Sequence, residues 1–177
     1  MQAILTVGVS ASGKSTWAEQ FIARQENPGQ WYNSNRDDIR WKLLGVKDRG
    51  KWNWKREKEV TSIQQTTLAD AASEGKNVII SDTNLQPKFR NDLLEYLHSL
   101  GYTSVTQKVF TVSFEEACKR DTARPNGVGY SVIAKQMEQM NKYIEAFNPP
   151  EAAKYEYKEG LPACIIVDID GTLAHMT

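Results

Sequence analysis

The stretch AILTVGVSASGKST, residues 3–16, joins a short apolar run to a glycine-rich turn and a lysine. From Gly8 to Ser15 it satisfies G-x-x-x-x-G-K-[ST]. The run AILTVGV (3–9) has the length and branched content of a buried strand, and a helix is expected from about Lys14 to Arg24. At such a junction the backbone of Gly8, Val9, Ser10, Ala11, Ser12 and Gly13 wraps a phosphate chain, so that N–H groups and the helix N-terminus face negative charge. Lys14 would then reach the β/γ-phosphates, and the Ser15 hydroxyl, followed by Thr16, would ligate Mg²⁺. The segment implies binding of a nucleoside triphosphate.

Apolar runs and helical patterns alternate along the rest of the chain, the signature of βαβ units and a parallel sheet flanked by helices. QWYNSN (30–35) reads as a short strand after the Asn27-Pro28-Gly29 turn, and a helix is expected near Arg36. GVKDRGKWNWK (45–55) reads as a loop, and a longer helix then runs to about Ser73, ended by Gly75. NVIISD (77–82) is a second buried strand. QPKFRNDLLEYLHSLG (86–101) has Pro near its start and Gly past its end, as helix termini prefer. SVTQKVFTV (104–112) is a third clear strand, and Ser113-Phe-Glu-Glu116 has the pattern of a capping box, with Pro125 closing the helix it opens. From Ser131 to Phe147, the residues Ile133, Met137, Met140, Ile144 and Phe147 make one apolar face, read as core or interface.

Composition narrows the class. With 40% hydrophobic and 25% charged residues in 177, the chain is an ordinary globular one. No stretch approaches the ~20 apolar residues of a membrane span, and the start lacks a basic n-region, so no membrane partner and a cytoplasmic setting are expected. Cys118 and Cys164 are isolated, as are His98 and His175, which speaks against a disulfide framework or a zinc site. Net charge is zero, yet nine basic and five acidic residues between Arg36 and Glu59 leave one segment at +4. That segment is either a solvated helical face or a surface for a polyanion.

A short chain with its P-loop at the start suggests a small kinase, which needs a base and a lid of arginines. A GTPase would need N-K-x-D, and Asn141-Lys142-Tyr143-Ile144 lacks the Asp. In NRDDIR (35–40), Asp37 at the carboxyl end of a strand would face the phosphate crevice and take the proton of an acceptor hydroxyl. Asp37-Asp38 would otherwise serve as a helix cap. Arg36 and Arg40 would hold an acceptor phosphate. Arg120 and Arg124, four apart on one helix face, are the lid candidates, or else a solvated pair. Asp82, ending VIISD, would orient Mg²⁺ through water or anchor a basic residue.

Taken in order, GVSASGKST, NRDD with Arg40 two residues on, SDTN (81–84) and R-x-x-x-R resemble the 5′-hydroxyl polynucleotide kinase domain of the bacteriophage-type polynucleotide kinase-phosphatases. The likeness covers about residues 1–150. It implies a P-loop kinase fold with an Arg-bearing lid helix, ATP as donor with Mg²⁺, and single-stranded DNA or RNA 5′-hydroxyl ends as partners; it also allows self-association. By this resemblance Asp37 is the general base, Arg40 the acceptor-phosphate ligand, Asp82 the strand-end Asp and Arg124 the lid arginine beside Arg120. Arg36 and Thr83 fall on the acceptor side. The lid KRDTARPNG (119–127) is less basic than the family pattern. A small-molecule kinase and a non-catalytic ATP-binding module are the rival readings.

Beyond a linker (151–162), residues 163–177 contain Asp168-Ile-Asp170-Gly-Thr, which resembles the first motif of haloacid-dehalogenase phosphatases. There Asp168 would be the nucleophile and Asp170 the acid-base partner. Phosphatase chemistry also needs a downstream Lys and a further acidic Mg²⁺ site, so the segment is read as a truncated start and no phosphatase activity is expected. In the basic segment, Trp41, Trp52 and Trp54 interleave with Lys42, Lys51 and Lys55, as stacking platforms for single strands do, or as packing beneath the loop. Trp52→Ala and Trp54→Ala are expected to raise KM for an oligonucleotide and leave ATP binding alone. Unchanged acceptor kinetics in both variants would remove the stacking role.

Overall fold

The computed structural model describes residues 1–44, 54–125 and 127–147. Gln2–Val7 forms β1, whose Ala3, Leu5, Thr6 and Val7 are shut off from solvent. A strand buried this completely must be central, and β1 pairs on both sides. One neighbour is β3 (Asn77–Ile80), with Ala3 opposite Val78 and Leu5 opposite Ile80. The other is β4 (Ser104–Val109), with Gln2 opposite Ser104 and Val7 opposite Val109. β2 (Trp31–Ser34) completes the order β2-β3-β1-β4, and every pairing is parallel.

Parallel neighbours need crossovers, and the helices supply them. They are α1 (Lys14–Ala23), α2 (Arg36–Leu44), α3 (Trp54–Ser73), α4 (Pro87–Ser99), α5 (Phe114–Thr122) and α6 (Tyr130–Phe147). Leu68 and Ala71 of α3 and Leu97 of α4 cover Ala3, Leu5, Val78 and Ile80. A second cluster sits under the carboxyl end of the sheet, where Ala117 of α5 and Ile133, Met140 and Tyr143 of α6 meet Val7, Val9 and Leu85. The expected apolar face of α6 is thus core, with Met137 and Ile144 packed at its margin. No helix among the described residues is long and apolar enough to cross a membrane.

Four expectations are corrected in detail. The third predicted strand ends at Val109 rather than at 112; after Phe110 N–H donates to Val7 O (2.7 Å), no further pairing follows. The capping box is one-sided. Ser113 Oγ accepts from Glu116 N–H (3.2 Å), but the Glu116 carboxylate turns forward to Arg120 Nε (2.7 Å). Pro125 does not set the end of α5, which stops at Thr122, so Arg124 lies past the Ala123 cap and does not share a helix face with Arg120. The cause is Asp121, whose carboxylate collects the N–H groups of Val128 (3.0 Å) and Gly129 (2.8 Å) together with the Arg124 guanidinium. The loop comes so close that a Cβ at Gly127 would stand 2.5 Å from Asp121 O. Residues 45–53, 126 and 148–177 lie outside the described residues, and with them most of the predicted loop (45–55), Trp52, the linker, the last strand, Asp168 and Asp170; residues 54 and 55 of that predicted loop are helical instead. Trp54 opens α3.

Gly8 is the tightest point where the strand ends meet. Its N–H donates to Thr83 O (3.1 Å), and an added Cβ would lie 2.7 Å from Phe110 O and 2.9 Å from Ser12 Oγ. Backbone cannot yield as a side-chain tip can. Gly8→Ala is expected to cost about 2 kcal/mol by overpacking, a fall of roughly 4–8 °C in unfolding temperature for a domain of this size. Calorimetry with an unchanged unfolding temperature would contradict that packing.

Candidate active site

The carboxyl ends of β1, β2 and β3 open on one cleft of about 980 Å³. Open α/β sheets bind ligands at this edge. Its floor is the P-loop. Gly13 takes φ +96° at the N-cap of α1, a left-handed conformation suited to glycine, and no side chain caps the helix there. The first-turn N–H groups are therefore turned to the cleft rather than to a capping side chain. Ala11 is also left-handed (φ 62°), which curls the loop. Lys14 is almost entirely buried and donates to Val9 O (2.6 Å) and Ser12 Oγ (3.3 Å). Burial lowers its amine to about 8, although the carboxylates of Asp82 and Asp37 favour the charged form.

The second wall comes from β2, β3 and α3. Asn35 caps α2, its Oδ1 accepting from the N–H groups of Asp37 (2.9 Å) and Asp38 (3.3 Å). Neither Asp is consumed as the cap, so the alternative reading of that pair does not hold. Asn35 Nδ2 reaches Ser81 Oγ (3.0 Å) and, at 3.4 Å, Ser15 Oγ. Asp82, half-buried at the end of β3, accepts from Arg36 N–H with Oδ1 (2.8 Å) and from Gln64 Nε2 with Oδ2 (2.8 Å). Burial pushes its carboxyl up, against the pull of those donors and of the Arg36 and Arg40 charges. Of the two roles foreseen for Asp82, anchoring is visible, and what it anchors is the backbone of a basic residue.

The arginines are placed differently from one another. Arg36, predicted as an acceptor ligand, turns its guanidinium into α3, donating to Gln64 Oε1 (3.0 Å), Glu57 Oε1 (2.7 Å) and Thr61 Oγ1 (2.9 Å). Arg40 stands at the cleft between Asp37 Oδ1 (2.7 Å) and Glu57, whose Oε1 is 2.5 Å and Oε2 3.2 Å away. Although burial favours the neutral acid, the hydrogen bonds of Arg40 and Arg36 hold Glu57 below the usual carboxylate range. Asp37 itself is half exposed and borders the cleft. On the far side Arg120 pairs with Glu116 and Arg124 with Asp121, and both arginines still line the cleft. The paired donors keep Asp121 ionised despite its burial, below the ordinary Asp value. Thr83 lines the cleft too, as does Trp41.

Sequence reasoning missed Asn35, Glu57, Gln64, Asp121 and Gln136. Asn35 had a signal, since Asn before an acidic first turn is a cap pattern. Asp121 sits three residues before Arg124, a spacing that brings side chains together. Glu57 and Gln64 gave none, being one acid in a basic run and one amide in a polar helix. Gln136 was hidden beside the apolar face of α6; its Oε1 accepts from Ser10 N–H (2.7 Å). Among the described residues no cluster of three or more His, Cys, Asp or Glu could hold a metal ion. The donors at hand, a hydroxyl at Ser15 and carboxylates at Asp37 and Asp82, suit Mg²⁺ carried on phosphates and not a cation caged by protein.

A family model described as an AAA domain matches residues 4–150. Among curated proteins, a "Putative bifunctional polynucleotide kinase/RNA ligase" of Autographa californica nuclear polyhedrosis virus is 28% identical over 189 residues, covering 98% of this chain and 25% of its own length. Among solved structures, a chain of the Pnkp1/Rnl/Hen1 RNA repair complex superposes with a TM-score of 0.68 at 28% identity, over 82% of this chain and 46% of that one. Chaetomium thermophilum Kti12 in complex with ADP-AlF3 reaches a TM-score of 0.53 at 15% identity over 77% of this chain and 79% of its own, a likeness of fold alone. The chain thus spans about a quarter of the curated relative and under half of the repair-complex chain. The parallel sheet, the P-loop and these relatives agree with the motif resemblance to polynucleotide kinases, and the chain belongs to the AAA domain family.

Proposed function

We propose that this chain transfers the γ-phosphate of ATP to the 5′-hydroxyl of a DNA or RNA end. The observation that carries the reading is Asp37, a half-exposed carboxylate on the cleft wall facing the P-loop, steadied by Arg40 and released from capping by Asn35. In the proposed reaction the P-loop N–H groups and Lys14 bind the phosphate chain. Ser15, with Asp82 acting through water, would hold Mg²⁺ brought with the nucleotide, and the ion would supply positive charge to the phosphate oxygens. Asp37 takes the proton from the 5′-hydroxyl as its oxygen bonds to the γ-phosphorus. The bridging P–O bond breaks, and ADP leaves.

Arg40 holds the acceptor's neighbouring phosphate while keeping Glu57 as its second partner. Arg36, turned into α3, supports this by shaping the start of α2, and Thr83 lies beside the path of the acceptor. Arg124 and Arg120 face the phosphate chain from the other wall, where they stabilise the charge that spreads in transfer. The polynucleotide kinase/RNA ligase similarity and the RNA repair complex support an acceptor of nucleic-acid type.

Asp37→Asn is expected to bind ATP normally and to lose transfer by about 10²–10⁴-fold, the usual worth of a general base. Radiolabelled ATP with a 5′-hydroxyl oligonucleotide and a panel of small alcohols measures it; near-normal turnover refutes the base, and transfer to a small alcohol alone refutes the acceptor. A second expectation concerns pH. Only the ammonium form of Lys14 holds phosphate, and its amine in the free protein lies at about 8. Bound phosphate favours the charged form, so ATP binding takes up protons, and affinity should weaken towards about tenfold per pH unit above that value. Titration calorimetry between about pH 7 and pH 10 tests this; a flat profile would show that Lys14 stays charged throughout.

A further inference from the structure

Gln136 stands between Ile133 and Met140, two buried core residues of α6, yet it lines the cleft. Its Oε1 accepts a 2.7 Å hydrogen bond from the N–H of Ser10, the third residue of the P-loop. Chemistry fixes which way this amide faces. The Ser10 N–H can only donate, so the oxygen must point at it and the NH₂ group must point elsewhere. Among the described residues that NH₂ group carries no hydrogen bond. The neighbours on the same cleft include Arg124 and Arg120, both drawn to carboxylates of their own.

We propose that Gln136 is a nucleotide-binding residue, holding the P-loop through its oxygen and donating through Nε2 to an oxygen of the triphosphate chain. The geometry gives the two halves of one amide distinct duties. Oε1 fixes the curl of the loop at Ser10, and the fixed oxygen in turn aims the nitrogen into the cleft beside the loop. A donor held in this way needs no reordering when the phosphates arrive, and a hydrogen bond to an anionic oxygen is stronger than one between neutral groups. α6 thereby becomes part of the donor site, although its sequence reads as a core helix. The inference rests only on the nucleotide-binding part of the reading above and is independent of the acceptor.

Two substitutions separate this from a mere brace. Gln136→Glu keeps an acceptor for Ser10 N–H, removes the donor and places a negative charge by the phosphates. Gln136→Ala removes both functions. Equilibrium binding of ATP, without any acceptor, is measured together with the unfolding temperature. Gln136→Glu is expected to raise the Kd for ATP by about tenfold or more, since the lost charge-assisted hydrogen bond is worth about tenfold and the new carboxylate repels the phosphates besides, with its unfolding temperature unchanged. Gln136→Ala is expected to weaken ATP by a smaller factor. Wild-type affinity in Gln136→Glu overturns the proposal and leaves Gln136 a structural prop, whatever Gln136→Ala does to stability. A wild-type protein that binds ATP no better than Lys14→Ala would overturn the nucleotide reading itself, and this proposal with it.

Discussion

At the end of β3 the carboxylate of Asp82 meets two donors from two helices, Arg36 N–H at the start of α2 and Gln64 Nε2 in the middle of α3. Gln64 is oriented in turn, because its Oε1 takes Arg36 Nη1 and its nitrogen also reaches Ser34 Oγ. An Asn at 82 could offer an oxygen to only one donor and would set its NH₂ against the other. Turning Gln64 over to compensate would set its NH₂ against Arg36 Nη1. The arrangement is thus fully determined by donor and acceptor counts, and losing one partner of such a bond costs about 1–3 kcal/mol. The start of α2 with Asp37, and the Arg40–Glu57 pair beside it, are tied to the sheet through this point.

The cleft manages its charge by pairing. Arg40 has Asp37 and Glu57, Arg124 has Asp121, and Arg120 has Glu116. A fixed group of unpaired cations would repel one another and destabilise the empty site. With a carboxylate for each guanidinium, the fold tolerates them, and an arriving phosphate must compete for them. Only the Arg120–Glu116 pair is well exposed, and such surface pairs are worth ~0–1 kcal/mol, so exchanging that one for a phosphate is inexpensive. Lys14 is treated differently: it is buried and donates to backbone and hydroxyl oxygens.

Much of this was legible in the chain. The P-loop fixed the first strand and helix, and the alternation of buried runs with helical periods gave the parallel sheet, because both signals are local. Asp37, Arg40 and Asp82 could be nominated because each follows a strand and strand ends converge. What stayed hidden depends on tertiary partners. Glu57 is set against Arg36 and Arg40 only when α3 folds beside α2. Arg124 leaves its helix because a carboxylate three residues earlier binds the loop after it, a contest that helical spacing does not register. Gln136 shares its helix with an apolar face, and a period that explains the core says nothing of the one amide aimed away from it.

Asn35 gives the arrangement a last property. Its side chain touches Ser15 on the P-loop helix, Ser81 beyond β3 and the first N–H groups of α2. In-line reactions demand reacting atoms within about 3–3.5 Å, and misplacement by about 1 Å is costly. Here the span from the P-loop helix to the start of α2 is gauged by the covalent dimensions of a single carboxamide. The amide plane itself has no internal freedom, so while both contacts are held, the P-loop helix and the first turn of α2 keep one fixed separation.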